Sequence, residues 1–198
     1  MSCHSSLVKN SSKNRTTYFQ MSRKFVSVRT QPAGLYQSSH PMTLFKTGEK
    51  MDDDFSPPLK LILDPEIRNP LFPTFFESPA LIGTKSFYQD LQTLGLNNIE
   101  AFPTEIYIER DQTTNFDYLL LNIVGSIPCA DMEKSKTRSL GEGMNLIYDL
   151  VVNAASLGQY EICVVTEDTN CMLVSERVVH HLKLCGYTDI LFKEVKLN

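Results

Sequence analysis

Leu81-Ile82-Gly83-Thr84-Lys85-Ser86-Phe87-Tyr88-Gln89-Asp90-Leu91 and Met172-Leu173-Val174-Ser175-Glu176-Arg177-Val178-Val179-His180-His181-Leu182 are two weak copies of one pattern, 91 positions apart. The alignment runs on through Gly95 with Gly186 and Ile99 with Ile190. Thr84 and Ser175 are suited to cap a helix by accepting from backbone N–H groups two or three residues on, a contribution of about 1 kcal/mol each. Phe87, Leu91 and Leu94 then recur at i, i+4 and i+7, as do Val178, Leu182 and Cys185, which gives each helix one apolar stripe. Gly95 and Gly186 stand where a left-handed residue ends a helix. On this pattern Cys185 points into the core with Val178 and Leu182, His180 and Lys183 face water, and the two histidines are surface residues. β-prone sequence follows each copy, so both read as strand, helix, strand.

Outward from the repeat, Lys24 to Arg29 alternates as a first strand and Leu59 to Leu63 reads as a second, with a loop from Ser38 to Pro58 between them. Ile99 to Glu109 alternates again, and Asp117 to Ile127 is a nearly continuous apolar run that suits a central strand. Asp131 to Gly143 is polar and reads as a loop. Met144 to Val152 and Tyr160 to Val165 follow as strands, with a helix over Leu146 to Leu157 as the alternative. Strands outnumber helices, so the expected class is α+β: a largely antiparallel sheet, a few short helices, and two weakly repeated strand-helix-strand units. Residues 1–20 read as a basic tail without packing residues, which leaves Met1 and Met21 both open as the start. Residues 21–198 then form one domain, or two lobes of about 21–110 and 111–198.

An apolar content of 42% over 198 residues is enough to fill a core. The longest apolar run, Tyr118 to Val124, has the length of a strand and falls far short of the roughly eighteen residues of a membrane helix. The N-terminal residues lack the apolar stretch of a secretory signal. Five cysteines (Cys3, Cys129, Cys163, Cys171, Cys185) are odd in number and scattered, which suggests free thiols in a reducing cytoplasm rather than a disulfide framework. The net charge of −4 hides an asymmetry: residues 1–30 hold six basic groups and no acid, leaving 13 basic against 23 acidic residues for 31–198. Such a body repels nucleic acid and steers cationic protein surfaces toward itself.

Catalytic and cofactor signatures are missing. There is no G-x-S-x-G elbow, no phosphate-binding glycine loop and no dinucleotide fingerprint. His180 and His181 with Cys185 have helical spacing for a shared metal face, but no C-x-x-C or second histidine pair supplies the four ligands of structural zinc, so neither metal nor cofactor is expected. Ser135 and Lys136 are adjacent in polar sequence and point apart. Asp52, Asp53 and Asp54 lack the spaced oxygens of a calcium loop and read as a solvated acidic loop that contributes to partner contact. Phe72, Phe75, Phe76 and Phe87 read as core residues, since no basic groove accompanies them.

Two stretches carry a resemblance. Tyr118-Leu-Leu-Leu-Asn-Ile-Val leads to the acidic-Lys-Ser segment Asp131-Met-Glu-Lys-Ser135. Leu173-Val-Ser-Glu-Arg-Val-Val leads to Cys185-Gly186-Tyr-Thr-Asp-Ile-Leu-Phe-Lys-Glu-Val195. With the copy at Leu81 to Gly95, they resemble the immunity protein 11 family of bacterial polymorphic toxin systems over about residues 79–195. The resemblance implies a cytoplasmic antitoxin that binds and neutralises a cognate toxin delivered by contact-dependent or type VI-like secretion, in competition between bacteria. It implies no catalytic residue. An acidic body suits a basic nuclease toxin, whose phosphate-binding surface it would occupy. Two other readings stand beside it. One is an enzyme of unrecognised type, marked by a deep pocket in which Cys129 or Cys163 meets a histidine; the other is a structural adaptor of a secretion system.

Overall fold

Thr84 and Ser175 cap their helices as the spacing predicts: their hydroxyls accept from the N–H groups of Phe87 at 3.2 Å and Val178 at 3.4 Å. Both helices end at left-handed glycines, Gly95 (φ +74) and Gly186 (φ +86). In the computed structural model, residues 16–24, 34–37, 45–51, 54–63, 71–78, 80–141 and 144–198 are described.

Along the chain come β1 (Tyr18–Arg23), β2 (Gly34–Gln37), β3 (Leu59–Leu63), β4 (Phe75–Phe76), β5 (Ile82–Thr84), α1 (Lys85–Thr93), β6 (Ile99–Ile108), β7 (Thr113–Ile123) and β8 (Ser126–Ile127). There follow β9 (Lys136–Gly141), β10 (Met144–Asp149), β11 (Val151–Val152), α2 (Ala154–Leu157), β12 (Ile162–Val165), β13 (Asp168–Ser175), α3 (Glu176–Leu184), β14 (Ile190–Glu194) and β15 (Lys196–Leu197). One sheet has the order β2-β3-β6-β7-β5-β4 and another β14-β1-β13-β12-β8, beside the pairs β9-β10 and β11-β15. The class is α+β. The sheets are mixed, however, rather than wholly antiparallel: β3 runs parallel to β6, β8 to β12, and β11 to β15. Each parallel pair is joined by a long connection, as parallel pairing requires.

The repeat is deeper in the structure than in the sequence. β7 lies between β5 and β6 and is antiparallel to both, and β1 lies in the same way between β13 and β14. The registers agree residue by residue. Tyr118 faces Thr84 and Ile123 faces Ile99 in one copy, while Tyr18 faces Ser175 and Arg23 faces Ile190 in the other. A short strand flanks each unit equivalently, with Phe75 opposite Gly83 and Ile162 opposite Val174. The copies differ in where the inserted strand comes from: β7 follows its unit directly, whereas β1 is drawn from far upstream.

This overturns the reading of a tail without packing residues for Tyr18 to Gln20, since Tyr18 is buried and all three pair within a sheet, while residues 1–15 lie outside the described residues. β1 is covered on both faces, with Tyr18 in one core cluster and Met21 in another, so it lacks the alternation that marks a half-exposed strand. Of the strand expected at Lys24 to Arg29, Lys24 donates its N–H to the Asp189 carbonyl, and the remainder lies outside the described residues. β9 falls in the stretch read as a polar loop. Its Lys136, Thr137 and Arg138 are exposed, and a strand segment whose side chains face water reads by polarity as a loop. The alternative helix over Leu146 to Leu157 shrinks to α2, capped by Asn153.

Phe87 and Leu91 of α1 and Val178 and Leu182 of α3 pack with Leu121, Ile123, Val164, Met172, Val174 and Ile190 into one core shared by both copies. Burying a side chain such as Phe87 contributes roughly 2–3 kcal/mol. On its opposite face the six-stranded sheet packs Leu59, Leu61 and Ile106 against Phe45 and Phe55, and the five-stranded sheet packs Cys163 and Leu173 against Leu157 and Val152. Phe75, Phe76 and Phe87 are core residues, as expected, while Phe72 is partly exposed. No described helix is long and apolar enough to cross a membrane.

Candidate functional site

α1 and α3 lie side by side, joined by polar contacts that run along α3 from its first turn to just past its end. The Arg177 guanidinium donates to the Leu94 carbonyl at 3.1 Å, and His181 Nε2 lies 3.0 Å from the Asp90 carbonyl and 3.1 Å from Thr93 Oγ1. Tyr187 Oη donates to Asp90 Oδ2 at 2.6 Å, and Cys185 Sγ lies 3.6 Å from His181 Nε2. Asp90 and His181 are themselves equivalent positions of the repeat, so the pseudo-symmetric helices meet at matching residues. The ligand-capable atoms of Asp90, His181 and Cys185 all fall within 4.8 Å of one another.

This arrangement corrects two expectations. Cys185 is exposed rather than part of the core, and His181 is half-buried rather than a surface residue, while His180 is exposed as expected. The heptad position is right for Cys185, but α3 has ended by then, and the side chain meets Asp90 instead of the sheet. Local desolvation and the neighbouring Asp90 carboxylate raise the Cys185 thiol, the opposite of what an activated nucleophile needs. Asp90 and Tyr187 were missed by sequence reasoning. The signal that could have found Asp90 is the repeat offset itself, which sets it against His181.

The other described thiols are packed away. Cys129, Cys163 and Cys171 sit among Tyr18, Leu150, Val152, Val165 and Leu173, and burial pushes each thiol up to about 12. The deep pocket joining Cys129 or Cys163 to a histidine is not seen among the described residues. A cleft of about 270 Å³ does open between the copies, lined by Asn97, Asn98, Tyr160, Glu161 and Arg177. Its charged groups are engaged with each other: Arg177 Nε pairs with Glu161 Oε1 at 3.0 Å, and the Ser175 hydroxyl donates to the same carboxylate. Ser135 is buried and its hydroxyl accepts from the Val151 N–H at 2.9 Å, a structural role that leaves it apart from any lysine chemistry.

Of the acidic loop, Asp54 is exposed and Asp52 and Asp53 lie outside the described residues. The next residue, Phe55, anchors the loop by packing edge-on against Phe45 and Phe102, with ring centroids 5.5 and 4.9 Å away. Compared with models of known protein families and with curated proteins, the chain matches none.

Proposed function

We propose that this chain is an immunity protein: a cytoplasmic antitoxin that binds a cognate secreted toxin, without turning over a substrate of its own. The observation that carries the reading is the surplus of ten acidic groups over residues 31–198, together with the finding that none of the described Asp or Glu side chains is buried. Charge displayed in this way speeds encounter with a cationic surface and selects against like-charged partners. A basic nuclease is the toxin class it suits best, because phosphate-binding surfaces are rich in Lys and Arg. Exposed Tyr107 and Phe116 lie on the same β6-β7 hairpin as Glu109, Asp111 and Asp117, and aromatic anchors amid polar groups are a common composition of binding patches. The resemblance of residues 79–195 to the immunity protein 11 family points the same way.

Co-expression with the product of the adjacent toxin gene tests the proposal. Restored growth and a complex on gel filtration are expected; persistent growth inhibition with no complex would refute it.

A further inference from the structure

We propose that Asp90, His181 and Cys185 bind a zinc-class divalent cation, held between α1 and α3 where the two copies of the repeat meet. His181 and Cys185 are four residues apart at the end of α3, and Asp90 reaches them from α1. A tetrahedral ion with bonds of about 2.3 Å to sulfur and about 2.0 Å to nitrogen sets those two atoms about 3.5 Å apart. Cys185 Sγ and His181 Nε2 are 3.6 Å apart. The carboxylate is also oriented, because Tyr187 Oη donates to its Oδ2 and leaves Oδ1 to a ligand.

The pseudo-symmetry supplies a second argument. Cys185 and Tyr187 correspond by the offset of 91 to Leu94 and Leu96, so the first copy builds the same helix end from apolar residues. The fold therefore does not demand a thiol and a phenol there. Thiolate with imidazole favours zinc over calcium or magnesium. Three protein ligands leave the fourth position of the tetrahedron to water. On binding, the Cys185 thiol releases one proton and its sulfur bonds the metal. The imidazole enters neutral through the Nε2 lone pair, its proton carried on Nδ1, and gives up its contacts with the Asp90 carbonyl and Thr93 Oγ1.

Cobalt(II) is the probe, titrated into the full chain with Cys3→Ser and His4→Ala as background, so that the other adjacent cysteine and histidine contribute nothing. Saturation at one equivalent is expected, with a thiolate-to-cobalt charge-transfer band that zinc(II) abolishes by displacement. Cys185→Ser should lose that band, and Asp90→Asn and His181→Ala should each weaken affinity at least about tenfold. Asp90→Asn keeps both the shape of the side chain and an acceptor for Tyr187, so its effect is separable from misfolding. Absence of a saturable band in the background protein, or undiminished affinity in Asp90→Asn, overturns the assignment.

Discussion

Tyr18 and Tyr118 hold the same place in the two copies of the repeat. Each is buried opposite a helix-capping residue, and each donates its hydroxyl to the carbonyl two positions ahead of the flanking strand: Tyr18 to Tyr160 at 2.9 Å, Tyr118 to Pro73 at 2.5 Å. Tyr18→Phe should cost about 1 kcal/mol, the net value of one hydrogen bond. Tyr18→Ala should cost about 3–5 kcal/mol, as expected for an emptied aromatic site. A chain shortened to begin at Met21 loses the pairing of Tyr18, Phe19 and Gln20 with β13 and should be at least as unstable. Urea unfolding of the three variants checks this, and a shortened chain as stable as the parent would remove β1 from the core.

The two caps should differ in strength although their sequence roles match. Thr84→Ala removes one acceptor at a half-exposed site, about 1 kcal/mol. Ser175 is buried and also donates to Glu161, so Ser175→Ala should cost more, about 2–3 kcal/mol. Equal midpoints for the two variants in chemical denaturation would contradict the second role.

Alkali should unfold the protein through its buried thiols. With folded values at about 12, Cys129, Cys163 and Cys171 keep their protons in the pH range where the unfolded chain, at about 9, gives them up. That stabilisation is whole below about pH 9 and is lost as pH climbs toward 12, by up to about 1.4 kcal/mol per pH unit for each thiol. Cys163→Ala should flatten the dependence by one such increment. Unfolding free energies measured from about pH 8 to about pH 10.5 give both slopes, and parallel slopes would refute the assignment.

If the acidic loop guides a cationic toxin, the triple change of Asp52, Asp53 and Asp54 to Asn should slow association about tenfold at low salt and reduce its dependence on ionic strength. The single variant Asp54→Asn, whose side chain is exposed, should move folding stability by less than about 0.5 kcal/mol. Stopped-flow association at two salt concentrations is the measurement, and an unchanged rate excludes the loop.

What was legible in the sequence was local. Thr84 and Ser175 announce their helices through a hydroxyl three residues from an N–H, Gly95 and Gly186 end them through backbone freedom, and both signals are complete within a dozen positions. β1 was hidden because its burial depends on β13 and β14, more than 150 positions away, and its own residues carry no period. The cluster around Asp90 was half visible. His181 and Cys185 share a helical face in any reading, but only the packing of α3 on α1 brings Asp90 and Tyr187 to that face.

The source of the strand inserted into the second copy has a temporal meaning. On the ribosome, residues 18–23 emerge long before both neighbours they must pair with, which end at Ser175 and Glu194. The first copy can assemble from its own contiguous segment while synthesis continues, but the gap between β13 and β14 stays open until Glu194 has been made. Its closure is the long-range step that topology makes slow, and until then two unpaired strand edges are exposed to whatever else in the cell offers a backbone.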